Sequence, residues 1–263
     1  MIFFNALIAA SGSVIESIPY PETHQIGILF AGQSNAQGSH SDTPPNYLQN
    51  PLNGVYIRNS GTWEILDYPN NQQSSTSTGF AAELSLGYEL QKHFNRDVYI
   101  SKYGVSSAPI YNDPERTDFN IGSNEAYPTL KTYAIALRDK IESLGKIPII
   151  IMVWVQGEGD QQTLEAANNY GNNLTDIVNG LNAEGAGINY YIINKLKLSP
   201  ILNEERSQII MQQQEDWCNS RSNAFVLDMS PYTFRSDNLH FNGVSQVLIG
   251  EAVKDIIVNQ ILL

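Results

Sequence analysis

A chain of 263 residues suits one large α/β domain or at most two small ones, and its 42% hydrophobic content is enough for a sizeable core. The formal net charge of −12 argues against nucleic acid and anionic membranes as partners. The single cysteine, Cys218, excludes an internal disulfide and a cysteine zinc site. No run approaches the roughly 18 apolar residues of a membrane span, so we expect no membrane insertion.

The chain begins with the apolar stretch MIFFNALIAA. A secretory signal carries positive charge ahead of its apolar part, but the first basic residue here is Arg58. We therefore interpret residues 1–24 as an N-terminal arm and residues 25–263 as one domain. The polar stretch at residues 70–78, NNQQSSTST, predicts a surface loop inside that domain.

Short apolar segments alternate with amphipathic ones along the rest of the chain. The apolar segments predict strands at residues 25–31, 97–102, 147–155, 190–198 and 225–228. The amphipathic segments predict helices at residues 80–94, 128–144, 166–181, 203–220 and 243–263. This alternation indicates an α/β fold, a three-layer α/β/α sandwich with a central parallel sheet. Ligands of such sheets bind at the carboxyl ends of the strands.

Ser34, in the segment Gly32-Gln33-Ser34-Asn35-Ala36, directly follows the first predicted strand. A serine on a tight turn between strand and helix presents its hydroxyl at the open edge of the sheet. Its backbone N–H can then face a developing oxyanion. Taken alone, Ser34 is better explained as a helix N-cap.

Two further strand ends carry polar or permissive residues. Gly104 follows strand 97–102 and lets the backbone approach a ligand, although it also suits a simple turn. The most apolar strand, 147–155, ends in Gln156, which offers an amide donor, and in the carboxylates Glu158 and Asp160. Acidic residues at that position also suit the start of a helix.

His240 lies in an irregular loop just before the last predicted helix, three residues after Asp237. An aspartate at this spacing can accept the imidazole Nδ1–H, which leaves Nε2 free to take a proton from a serine. A capped surface loop is the alternative for this motif alone.

Together the motifs GQSN, Gly104, QGExD from Gln156 to Asp160, and DxxH from Asp237 to His240 resemble the blocks of the SGNH hydrolases. More narrowly, they resemble the branch that contains sialate O-acetylesterases and the acetyl xylan esterases of carbohydrate esterase family 6. SGNH hydrolases in general have an asparagine where this chain has Gln156, whereas the narrower branch uses glutamine. Members of the branch often pair two glycines at the second block, but Val105 follows Gly104 here.

The resemblance implies an SGNH-hydrolase, flavodoxin-like fold and a serine esterase that removes O-acetyl groups from a carbohydrate of the polysaccharide or sialic acid type. It implies Ser34 as nucleophile, with His240 and Asp237 completing the triad, and no metal or organic cofactor. The oxyanion hole would combine the N–H groups of Ser34 and Gly104 with the side chain of Gln156. The neighbouring polar residues would support this site or contact the substrate: Gln33, Asn35 and Glu158.

Two other functions compete with an esterase. A glycosidase would use Glu158 and Asp160 as acid and base, but it would leave Ser34 and His240 without a role. A carbohydrate-binding or structural domain of a viral tail or surface assembly would stack sugars on the aromatic-rich segment 103–127 and would not need the triad. We expect an extracellular, periplasmic or virion-associated location rather than a cytoplasmic one, and the sequence does not determine the oligomeric state.

Overall fold

The computed structural model describes residues 20–39, 41–71 and 79–262. Most of the predicted N-terminal arm (residues 1–19) and most of the predicted polar loop (residues 72–78) lie outside these ranges. None of the helices within the ranges is long and apolar enough to cross a membrane.

In the described ranges, one sheet of seven strands runs through the molecule in the order β3-β2-β4-β1-β5-β6-β7. Neighbouring strands are parallel, except for the antiparallel pair of β2 and β3 at one edge. The strands are β1 His24–Gly32, β2 Val55–Asn59, β3 Thr62–Ile65, β4 Val98–Gly104, β5 Ile147–Val155, β6 Ile188–Asn194 and β7 Ala224–Leu227. The predicted central parallel sheet is confirmed.

Helices cover both faces of the sheet. Those of the described ranges are α1 Ser34–Gln37, α2 Glu83–Phe94, α3 Ala126–Ser143, α4 Leu164–Ala183, α5 Glu204–Asn219 and α6 Gly243–Ile256, which continues as a π-helical turn, Ile257–Ile261. Side chains of α2 and α6 share one apolar core with one face of the sheet, and side chains of α3, α4 and α5 share a second core with the other face. The predicted three-layer α/β/α sandwich is therefore confirmed.

Strand β1 shows how the sequence produces these two cores. Successive side chains of a strand point to opposite faces. Phe30 accordingly belongs to the core under α2 and α6, whereas Leu29 and Ala31 belong to the other. Because both faces are covered, the strand is apolar from Ile26 to Ala31. Full burial of a Leu or Phe side chain contributes about 1.5–3 kcal/mol to folding.

The carboxyl end of β1 is the topological switch point of the sheet. Strand β1 pairs with β4 on one side and with β5 on the other, and the chain builds the β4 side before it crosses to β5. The connection after β1 leads to the β4 side, and the connection after the neighbouring β5 leads to β6 on the other side, so a crevice opens between these strand ends, where α/β sheets bind ligands.

The sequence prediction missed the hairpin of β2 and β3. These strands are short, and the two residues between them, Ser60 and Gly61, both adopt positive φ. Positive φ at both central residues is typical of the two-residue turns that close β-hairpins. The prediction also extended β6 to residue 198, but the strand ends at Asn194, level with the end of its partner β7 at Leu227. Beyond that point no ladder partner is available to hold an extended backbone.

Candidate active site

A sharp turn at the end of β1 positions Ser34. Gly32 adopts a φ of +144°, and a Cβ at this position would lie 2.0 Å from the carbonyl oxygen of Val155, so only glycine fits. The next N–H, of Gln33, donates to that same carbonyl at 3.0 Å. The turn ends the strand and begins α1 at Ser34, whose side chain borders a cavity of about 290 Å³.

Ser34, His240 and Asp237 form a continuous chain of hydrogen bonds, although 206 positions separate the serine from the histidine. The distance from His240 Nε2 to Ser34 Oγ is 3.0 Å, and His240 Nδ1 lies 2.9 Å from Asp237 Oδ2. The other carboxylate oxygen, Oδ1, accepts from the backbone N–H groups of Leu239 and His240 at 2.9 and 3.0 Å. Partial burial opposes ionisation of Asp237, but these donors outweigh it and lower the carboxyl pKa to about 2.

Asn35 connects the histidine loop to the segment after β5. Its Nδ2 donates to Glu158 Oε1 at 2.7 Å and to the carbonyl of Leu239 at 3.2 Å. Its Oδ1 accepts from the N–H of Phe241 at 3.0 Å. The residues on both sides of His240 are thus attached to the residue that follows Ser34. Burial raises the pKa of Glu158, against the effects of Asn35 and His240.

The side-chain amide of Gln156, expected to donate to the oxyanion, has other partners in the structure. Its Nε2 donates to the carbonyl of Ala108 at 3.0 Å and to Asp160 Oδ2 at 2.6 Å, which uses both amide hydrogens. Gln156 also does not border the cavity beside Ser34 in the described part of the chain. Since Ala108 and Asp160 take up both amide hydrogens, a bond from the Gln156 amide to an oxyanion stays a prediction.

Asp160 holds the loop after β4. Its carboxylate accepts from the N–H of Ile110 at 3.1 and 3.0 Å and from the N–H of Tyr111 at 2.9 Å, in addition to Gln156. Burial dominates these bonds and raises the Asp160 pKa to about 6. A glycosidase would need this carboxyl at the substrate, but it is fully buried and occupied by the loop. The structure gives the glycosidase alternative no acid–base pair.

Gln33 is a polar side chain that is buried yet borders the cavity. Its Oε1 accepts from the N–H of Gly159 at 3.0 Å and lies 3.5 Å from the N–H of Gly157. The side chain is thus held by the segment after β5 at the border of the cavity. The signal in the sequence was its place next to Ser34, but the bonds that orient it come from 126 positions away.

Gly104 has a packing role that explains the lack of a side chain. A Cβ there would lie 2.7 Å from Gln37 Cγ and 3.2 Å from the carbonyl oxygen of Gln33, so α1 could not pack on the end of β4. Gln37 Nε2 donates to the Gly104 carbonyl at 2.8 Å. Gly104 is not among the described residues that border the cavity. A bond from its N–H to an oxyanion stays a prediction.

A buried ion pair beneath α1 was missed by the sequence prediction. Lys102 Nζ lies 2.6 Å from Glu83 Oε1, both side chains are almost fully buried, and Nζ also donates to the carbonyl of Gln37 at 3.2 Å. Burial lowers the pKa of Lys102 and raises that of Glu83, while the attraction between them opposes both changes. The available signal was a lysine on the core-facing side of an apolar strand, since Lys102 alternates with Ile100.

Comparison with known proteins identifies the family of this chain. Over residues 24–259 the sequence matches the model of a family described as carbohydrate esterase, sialic acid-specific acetylesterase. No curated protein matches the chain.

Solved structures share the fold at low sequence identity. A protein from Arabidopsis thaliana superposes with a TM-score of 0.71 at 16% identity, over 90% of this chain and 99% of that one. A carbohydrate acetylesterase from Xanthomonas citri gives 0.61 at 12% identity, over 89% of this chain and 56% of that one. A carbohydrate esterase family 2 enzyme with a carbohydrate binding domain, from Corynascus thermopiles, gives 0.51 at 12% identity, over 91% and 66%.

The match covers nearly all of the described structure, and it agrees with the branch that the sequence motifs resemble. This chain belongs to the sialic acid-specific acetylesterase family of carbohydrate esterases and is a carboxylic ester hydrolase.

Proposed function

We propose that this protein removes O-acetyl groups from a carbohydrate, with Ser34 as nucleophile, His240 as general base and Asp237 as the residue that orients the imidazole. The observation that carries the proposal is the unbroken hydrogen-bond chain from Asp237 through His240 to Ser34, which ends at a cavity. A binding or structural domain does not require these hydrogen bonds between Asp237, His240 and Ser34, so the arrangement favours an enzyme.

The reaction runs through an acetyl-enzyme. His240 Nε2 accepts the hydroxyl proton as Ser34 Oγ bonds to the ester carbonyl carbon, and the carbonyl oxygen becomes an oxyanion. When the tetrahedral intermediate collapses, the bond to the sugar oxygen breaks and His240 returns its proton to that oxygen. Water then attacks the acetyl-enzyme by the same steps, which releases acetate. Asp237 stays ionised throughout, because its pKa is about 2, and it stabilises the imidazolium.

The oxyanion would be held by the backbone N–H of Ser34, by the amide of Gln33 and by the N–H of Gly104. Gln33 takes the place that the sequence suggested for Gln156, because its amide oxygen is fixed by Gly159 and the residue borders the cavity. One such donor contributes about 3–4 kcal/mol to transition-state stabilisation. Asn35 would position the histidine loop through its three bonds to neighbouring groups.

An acyl-length series of aryl esters tests the proposal. We expect an aryl acetate to be hydrolysed faster than the butyrate and octanoate, since the family is one of acetylesterases. Ser34→Ala should lower the turnover by about 10³-fold or more and leave the fold intact by circular dichroism. Ser143→Ala, an exposed serine at the end of α3, is the matched control and should keep full activity. Near wild-type turnover by folded Ser34→Ala would reject the mechanism.

A further inference from the structure

A second cavity adjoins the catalytic one. It measures about 590 Å³, and three residues border both cavities: Ser107, Arg116 and Gln162. The second cavity extends away from Ser34 along the loop after β4, part of the aromatic-rich segment that the triad leaves without a role. A substrate bound at Ser34 through its acetyl group can therefore continue into this space.

The wall of the second cavity is built around an aromatic ring. Tyr111, half-buried, borders it together with Pro109 and Pro114. The Tyr111 hydroxyl donates to the Glu165 carboxylate, which raises the pKa of the phenol. Its backbone N–H donates to the buried Asp160. The backbone of Tyr111 is thus anchored and its hydroxyl interacts with Glu165, and an aromatic face held in this way can bind the apolar side of a sugar ring.

Arg116 stands between the two cavities, but its charge is neutralised. Its Nε and Nη2 lie 2.7 and 2.5 Å from Asp113 Oδ2. Nη1 donates to the carbonyl of Ser107 at 3.3 Å, and Nη2 donates to the carbonyl of Gly159 at 3.2 Å. The guanidinium therefore joins the loop after β4 to the segment after β5.

The charge around the second cavity disfavours an acidic sugar. Once Asp113 is paired with Arg116, the carboxylate of Glu115 is left on the wall, and Glu165 lies against the Tyr111 hydroxyl. A sugar carboxylate placed here would meet like charge without a free cation of the cavity wall. Sugar hydroxyls, in contrast, can donate to these carboxylates.

We propose that the second cavity is a subsite for a neutral sugar residue, with the Tyr111 ring as its platform, so that the substrate is an acetylated neutral oligosaccharide or polysaccharide rather than an O-acetylated sialic acid. The inference rests on the proposed esterase activity at Ser34 and adds the class of sugar that this activity serves.

Kinetics with three substrates test the subsite: 4-nitrophenyl acetate, chemically acetylated cellotetraose, and 9-O-acetyl-N-acetylneuraminic acid. For the wild type we expect a higher kcat/KM with the neutral oligosaccharide than with the sialic acid ester. Tyr111→Ala should lower the ratio of kcat/KM for the oligosaccharide to that for the aryl acetate about tenfold, mainly through KM. Tyr111→Phe keeps the ring and should keep most of that ratio. Tyr47→Ala, an exposed tyrosine on the other side of the sheet, is the control and should not change it.

The outcomes separate the subsite from the esterase mechanism. An unchanged ratio in Tyr111→Ala, or a preference of the wild type for the sialic acid ester, overturns the neutral-sugar subsite while hydrolysis of the aryl acetate still supports Ser34 as nucleophile. If the wild type hydrolyses none of the three substrates, the proposed function falls and the subsite falls with it.

Discussion

Asp237 and Asp160 belong to two different segments of the chain, and their surroundings have opposite effects on the pKa of the same functional group. Asp237 lies in the loop before α6 with 39% of its side chain exposed, and its N–H donors overcome partial burial to lower its pKa to about 2. Asp160 is fully buried, and burial raises its pKa to about 6 although three groups donate to it. Donors around a half-exposed carboxylate outweigh desolvation, whereas the same number of donors around a buried one does not.

The difference assigns different work to the two residues. Asp237 bonds to His240, which contacts Ser34, so it acts on the reacting atoms through one side chain. Asp160 bonds to Gln156 and to the backbone of the loop at Ile110 and Tyr111. It therefore positions Tyr111 in the wall of the second cavity. Substitutions of Asp237 should change the rate of hydrolysis, and substitutions of Asp160 should change the stability of the fold.

The largest effect is expected for Asp237→Asn. The amide cannot hold the imidazole in the tautomer that accepts the Ser34 proton, and it does not stabilise the imidazolium, so kcat for an aryl acetate should fall by about 10⁴-fold. The unfolding free energy at neutral pH should change far less than the activation free energy. Asp255→Asn, an exposed aspartate of α6, is the matched control. If Asp237→Asn retained a tenth of the wild-type kcat, Asp237 would not be a member of the triad.

A smaller effect, on kcat again, is expected for Gln33. Gln33→Ala removes the proposed oxyanion donor and should lower kcat by about 10²–10³-fold with little change in KM. Gln33→Glu keeps an acceptor for Gly159 but replaces the donor by a carboxylate, so it should be at least as damaging.

Gln156→Ala is the contrasting variant. Its amide donates to Ala108 and Asp160, so the loss should appear mainly as reduced thermal stability, with a smaller loss of kcat than in Gln33→Ala. A larger loss of kcat in Gln156→Ala than in Gln33→Ala would restore Gln156 as the oxyanion donor.

The same two regions show how far the sequence alone leads. The bond between Asp237 and His240 spans three positions, so its spacing is visible in the motif. The backbone partners of Asp160 lie about 50 positions earlier, in a loop whose path no periodicity reveals. The alternation of strands and helices predicted the layers and the end of β1, because strands buried on both faces are visible in the sequence as runs of apolar residues. Which of two glutamines faces the cavity depends on backbone donors that only the folded chain brings together.

The smallest expected effect is on stability, and it has opposite signs for the two aspartates. The Asp160 pKa of about 6 lies above the unfolded value of about 3.9, so the contribution of this carboxyl is present below about pH 4 and is lost as the pH rises through 6. The unfolding free energy of the wild type, measured with urea, should therefore fall by about 2 kcal/mol relative to Asp160→Asn between pH 4 and pH 7. The Asp237 pKa of about 2 lies below the unfolded value, so its contribution is present above about pH 4 and is lost as the pH falls through 2. Relative to Asp237→Asn, the wild type should become more stable from pH 2 to pH 4. Parallel curves for the wild type and Asp160→Asn would show that burial does not dominate at Asp160, and the contrast between the two carboxyls would be lost.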